Sequence, residues 1–247
     1  MISVENLGHK DFKKTYNTAL AYASGSMYKG IASKELVIRM GKANLMSFLG
    51  TGGMRTPLVE EAFSMIKSQL REGQSFGSNV LHSPEFPELE FNMVNLLFKY
   101  DIHHVEAAAF MQMSPSLVLF RLKGAHKDLD GNIVIPNTVI GKVSRPEVAS
   151  HFMSPAPIEM VRELVSSGQL TQNEADLSPY IPMANDICVE SDSGGHTDQG
   201  VAFALLPTIQ RLRDEFVKKY PIPVSIRVGA AGGIGAPEAA AAAFIMG

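Results

Sequence analysis

At 247 residues, 45% of them hydrophobic, the chain is long enough to bury a large core as one barrel-sized domain or two smaller ones. A formal net charge of −3, with Lys and Arg scattered, supplies no basic field for nucleic acid, so small molecules and proteins are the partners to expect. The single cysteine, Cys188, excludes an internal disulfide framework and multi-cysteine metal sites; no run approaches the ~20 apolar residues that span a bilayer, MISVENLGHKDF holds no signal-peptide core, and a cytoplasmic protein is expected.

Short β-type runs alternate with helical patterns from end to end, the signature of βαβ units and a parallel sheet. Strands are predicted at ALAYAS (19–24), LMSFLG (45–50), SFGSNVL (75–81), HHVEAAA (103–109), TVIGKVS (138–144), DICVES (186–191) and VSIRVGA (224–230). Between the second and third, TPLVEEAFSMIKSQL lines up Leu58, Val59, Ala62, Phe63, Ile66 and Leu70 as one apolar stripe, with Thr56 placed to cap it and Pro57 in its first turn. KDLDGNIVIPN carries an Asp-Gly turn and predicts a hairpin inserted near 126–137, and TQNE matches a capping box opening an extra helix near 170–180. LLPTIQRLRDEF aligns Leu205, Ile209, Leu212 and Phe216, leaving Arg211, Asp214 and Glu215 for water.

Seven βα units in a row, with no linker dividing them, predict an α/β fold of the (β/α)8 TIM-barrel type over 1–247 as a single domain; an open doubly wound sheet competes. After the seventh helix, PEAAAAAFIMG, an eighth strand should follow. The expectation is a barrel truncated after its seventh βα unit, either a shortened version of a longer protein or one whose seam something else closes.

In such folds chemistry gathers at the C-terminal strand ends. GAAGGIGAPE follows the seventh strand, and Gly232 and Gly233 at a helix start would let backbone N–H groups cradle a phosphate; a tight turn with close helix–strand packing reads equally well. The glycines at 229, 232, 233 and 235 do not make G-x-G-x-x-G. SDSGGHTD ends the sixth strand and sets His196 beside Gly194 and Gly195, where an imidazole could donate or accept a proton and Asp192 or Asp198 could orient it. Lys142 interrupts an apolar strand on the face of Ile140 and Ser144, either inward against an anionic or electron-rich partner or outward against a helix or solvent. Asn79 could hydrogen-bond a cofactor ring edge or cap a turn. His103 and His104 point to opposite faces and share no metal; His104 and Glu106 read as a surface or interface pair, His9, His82, His126 and His151 as structural, and Cys188 as buried and inert. The methionines, Met111 and Met113 among them, read as adaptable core or pocket lining.

RVGAAGGIGAPEAAAAAF, VESDSGGHTD, VIGKVSRPEVAS, GSNVLHSP and VEAAAFMQMSP, within a match that runs from about residue 17 onward, resemble the FMN-dependent trans-acting enoyl reductases of polyketide and polyunsaturated fatty-acid synthases, a branch of the nitronate monooxygenase-like TIM barrels. The resemblance implies an FMN-binding barrel, with the phosphate near Gly232 and Gly233, the flavin contacted by Asn79 and Lys142, and Asp192, Gly194 and Gly195 in the loop beside it. His196 aligns with the histidine regarded as the acid/base. By the same resemblance NADPH reduces the flavin, hydride passes to the β-carbon of a 2-enoyl thioester on an acyl carrier protein, and His196 protonates the α-carbon. The implied partners are that carrier protein and other synthase components, with room for a homo-oligomer. Ala236 departs from the family's Thr or Ser helix cap, and the family's eighth strand is absent, so weak FMN binding is expected of the chain by itself. Nitronate monooxygenase is the runner-up activity, and a non-catalytic docking component of a synthase the reading from another class.

Overall fold

The strands are short and buried on both faces, the pattern of a parallel sheet covered by helices. In the computed structural model, which describes residues 3–191, 198–220 and 225–247, every position of Met46–Leu49 is buried, and so are the first four of Gly77–Leu81. The chain divides into two compact units, residues 1–106 and 107–247.

The first unit runs α1 (Lys10–Thr15), β1 (Ala23–Ser24), α2 (Lys34–Lys42), β2 (Met46–Leu49), α3 (Thr56–Gln69), β3 (Gly77–Leu81) and α4 (Pro87–Lys99), and ends within β4 (His104–Ala108). β1 lies parallel to β2, with Ala23 opposite Met46, and β2 parallel to β3, with Phe48 opposite Gly77. The first strand is shorter than its apolar run: residues 19–21 bend instead, where the Ala19 N–H and the Thr18 hydroxyl both donate to the Asn44 carbonyl. α3 begins one residue earlier than its sequence signals imply. Arg55 is the cap residue and makes no side-chain cap bond, Thr56 is already helical, and the stripe of Val59, Ala62, Phe63 and Ile66 is buried while Leu58 stays exposed.

The second unit contains α5 (Pro115–Leu122), a hairpin of β5 (His126–Lys127) and β6 (Ile133–Val134), then β7 (Thr138–Val143), α6 (Pro146–Met153), α7 (Ile158–Ser166), α8 (Gln172–Leu177), β8 (Asp186–Glu190), α9 (Ala202–Lys219), β9 (Arg227–Ala231) and α10 (Pro237–Met246). β5 and β6 pair antiparallel around the Asp128–Asn132 turn; β7, β8 and β9 pair parallel in that order. α8 opens on a full capping box, Thr171 bonding the Glu174 N–H and Glu174 the Thr171 N–H. On α9 the buried residues are Leu206 and Ile209, so the packed stripe is turned slightly from the one read in sequence, while Arg211, Asp214 and Glu215 lie on its outer side. Arg121 on α5 is wholly buried and donates from Nε to Pro182 O at 2.9 Å and from Nη1 to Asn137 O and Asn185 Oδ1, each at 2.6 Å. No helix among the described residues is long and apolar enough to cross a membrane.

Candidate active site

β7, β8 and β9 end side by side, and their register decides which side chains meet. Lys142 stands opposite Cys188, and Glu190 opposite Ala231. With a side-chain period of two, Lys142, Asp186, Cys188, Glu190, Arg227 and Gly229 share one sheet face, while Ile187 and Val189 enter the core on the other. At the N-terminal end of that face Arg227 grips Asp186 through two hydrogen bonds of 2.6 and 2.7 Å. At the C-terminal end the Lys142 ammonium lies 3.3 Å from the Glu190 carboxylate. The sequence left Lys142 two orientations; the paired one is observed, and the partner is a carboxylate that residue-by-residue reading overlooked. The strand alternation Asp186–Cys188–Glu190 was the available signal.

Cys188 is partly accessible on this face, which corrects its reading as a buried residue. Just beyond Glu190, the Ser191 N–H and hydroxyl both donate to the Ala231 carbonyl at 3.0 Å, binding the end of β8 to the end of β9. There the backbone turns left-handed at two consecutive residues, Gly232 (φ 89°) and Gly233 (φ 68°), a conformation that favours glycine. A Cβ on Gly233 would meet nothing within 4 Å. The turn leads into α10, whose cap residue Ala236 offers no side-chain bond to the free N–H groups of the first turn.

His196, Asp192, Gly194 and Gly195 lie outside the described residues. Their flanks are described. Ser191 precedes them, and Asp198 follows, its carboxylate accepting from Ser144 Oγ at 2.6 Å and from Arg145 Nε and Nη2 at 2.8 and 2.5 Å. The Arg145 guanidinium and the Ser144 hydroxyl hold the Asp198 carboxyl well below the usual carboxylate range. Asp198 thereby ties the stretch before α9 to the turn after β7.

In the first unit the strand ends carry a second polar group. Asn79 on β3 is 3% exposed, and its Oδ1 accepts from the Thr51 N–H at 2.8 Å and the Thr51 hydroxyl at 2.7 Å. A backbone N–H can only donate, which fixes the amide's orientation and leaves Nδ2 with two hydrogens and no partner among the described residues. Asn79 thus caps the turn after β2 and keeps a donor in reserve. Glu106 on β4 is buried and accepts from the Ser26 N–H and hydroxyl at 2.9 and 3.0 Å, so it is no surface group. His104 packs against the Tyr16 ring, centroids 5.1 Å apart, and burial, aided by the neighbouring His103, pushes its pKa down to about 4. The surface or interface pairing of His104 with Glu106 is therefore overturned: on an inward-facing strand position both find partners within the unit. His82, just past β3, pairs through Nδ1 with Glu90 at 2.8 Å, and Glu90 also accepts the Ser83 N–H.

The residues present suit FMN. An anionic tail requires unpaired N–H groups and room for oxygen atoms; the open left-handed turn at Gly232 and Gly233 and the uncapped α10 supply both. A flavin ring edge, rich in carbonyl and ring-nitrogen acceptors, requires a donor, and within the second unit Lys142 Nζ is of that kind. No group of three His, Cys, Asp or Glu able to hold a metal ion occurs among the described residues.

No family model matches the chain. It is 49% identical over 246 residues to the polyketide biosynthesis protein PksE of Bacillus subtilis, covering all of this chain and 32% of that protein. It is 42% identical over 244 residues to a polyunsaturated fatty acid synthase component of Thraustochytrium sp., covering 98% of this chain and 16% of that protein. The chain thus spans about a third or less of the length of these relatives. Among solved structures it superposes on the enoyl reductase domain of MlnA, from the macrolactin biosynthesis cluster of Bacillus amyloliquefaciens, with a TM-score of 0.95 and 38% identity over 99% of this chain and 55% of that one. A mandelate oxidase mutant carrying an FMN adduct matches at a TM-score of 0.50 and 14% identity over 93% of this chain and 63% of that one, a likeness of fold alone. The fold is of the TIM-barrel type, and the chain is a homologue of the MlnA enoyl reductase domain and of the matching segments of these polyketide and polyunsaturated fatty-acid synthesis proteins.

Proposed function

We propose that the chain is the FMN-binding part of an NAD(P)H-dependent enoyl reductase acting on 2-enoyl thioesters carried by an acyl carrier protein, in polyketide or polyunsaturated fatty-acid synthesis. The observation that carries this reading is the convergence, in one unit, of the open Gly232–Gly233 turn, the Lys142–Glu190 pair and the two anchored flanks of the His196 loop. Its likeness in sequence and fold to an enoyl reductase domain supports the same reaction class.

FMN, when bound, supplies hydride transfer between nicotinamide and the enoyl β-carbon. The chain's own residues have four tasks. The N–H groups at Gly232 and Gly233 and the α10 N-terminus hold the phosphate. Lys142 Nζ donates to the ring edge and fixes its orientation. Asp192, Gly194 and Gly195 shape the loop beside the ring. His196 Nε2 or Nδ1 delivers a proton to the α-carbon, a role suited to an imidazole near neutral pH.

Anaerobic stopped-flow tests the reading. FMN-loaded protein mixed first with NADPH should lose the oxidised-flavin band, then regain it on mixing with a crotonyl-type thioester. Failure of the thioester to reoxidise the flavin, with nitroalkane and oxygen succeeding instead, would replace the proposal by nitronate oxidation. His196→Ala should slow thioester-driven reoxidation by roughly 10²-fold or more, the usual weight of one acid–base group, at nearly unchanged flavin content.

A further inference from the structure

The Lys142–Glu190 pair is placed oddly for a structural ion pair. Both side chains are mostly buried, 15% and 13% exposed, and a buried pair of this kind seldom stabilises a fold more than apolar residues of the same volume would. β8 and β9 are already joined by the Asp186–Arg227 bridge at the other end of the same face. Nor does the pair fill a packed core: a Cβ on Gly229, next to Cys188 on that face, would meet nothing within 4 Å, and Cys188 itself is partly accessible. The ammonium at the end of β7 thus faces a carboxylate of β8, on a sheet face left partly open at Cys188 and Gly229. In such partly dry surroundings a unit charge acts on its neighbours far more strongly than in water.

We propose that Glu190 is a positioning residue, holding the Lys142 ammonium toward the ends of β7–β9 and damping its charge, so that it sets how readily a ring bound there accepts electrons. This rests on the flavin reading above. Two-electron reduction puts negative charge on the ring; a full cation nearby favours the reduced form, and a carboxylate 3.3 Å from that cation opposes it.

The test uses Glu190→Gln, Lys142→Met, the double variant and Glu190→Asp, each read two ways. Midpoint potentials of bound FMN are measured against reference dyes, and urea unfolding of the FMN-free proteins gives the coupling between the two positions. Glu190→Gln should shift the reduction equilibrium toward reduced flavin by on the order of tenfold. Lys142→Met should shift it the other way, Glu190→Asp should move it as Glu190→Gln does but less, and Glu190→Gln should have little effect once the lysine is gone. An unchanged potential in both Glu190 variants, an equal shift with and without the lysine, or zero coupling in urea would each overturn the proposal. If the wild-type protein takes up no FMN while the urea cycle shows coupling, the flavin reading falls and the tuning role with it, the ion pair itself being measured.

Discussion

Asn79 is polarised by its neighbours. The Thr51 N–H claims its oxygen, so its nitrogen is the end presented to a ligand, and one side chain both closes a turn and offers a donor. Replacing Asn79 by Leu should cost about 1–3 kcal/mol, since the buried Thr51 N–H loses its acceptor, and should weaken FMN binding in the same variant; urea midpoints and FMN fluorescence titration read the two effects separately. Gly233→Ala probes the glycine turn of the second unit. Its Cβ touches nothing, so the penalty is conformational alone, about 1–2 kcal/mol for an L residue at φ 68°. At this scale the sequence was readable as residue types: a polar amide and a lysine in apolar strands, and a glycine pair before a helix. The partners were not, because Thr51 is 28 residues from Asn79 and Glu190 is 48 from Lys142, and only strand register brings them together.

Elements were legible where a local rule acted alone. The capping box of α8 and the Asp-Gly hairpin turn depend on neighbours within a few residues, and both stretches adopt those forms. β1 is cut short because Asn44, far along the chain, draws the Ala19 N–H and Thr18 into a bend, and α3 starts one residue early, at Thr56, with Pro57, which has no N–H to satisfy, in its first turn. β4 carries a consequence for pH. His104 stays neutral in the folded unit down to about 4, whereas in the unfolded chain it titrates near 6.5. Between those values the unfolded chain binds more protons, so the stability present above pH 6.5 is lost as the pH falls toward 4. Urea midpoints measured across that window should fall for the wild type and fall less steeply for His104→Gln.

For the molecule as a whole, ligand linkage gives the broadest check. FMN at a hundred times its dissociation constant should raise the unfolding free energy by about 2.7 kcal/mol, and riboflavin, which lacks the phosphate, should give a much smaller rise in melting temperature at equal concentration; equal rises would remove Gly232 and Gly233 from phosphate binding. The alternation of strands and helices was enough to reach the barrel-type fold, because parallel βα units leave few arrangements open. The sheet face formed by β8 also explains how its strands avoid misalignment. With acids at both of its ends and apolar Ile187 and Val189 between, sliding β8 by a single residue would thrust two carboxylates among the helices and strand Arg227 without its mate. Sliding by two would keep the faces but part Asp186 from Arg227, even in the direction that set Glu190 opposite Lys142. The charges thus work as a two-pin key that admits one alignment only, and the alignment it admits is the one that brings Ser191 to the Ala231 carbonyl.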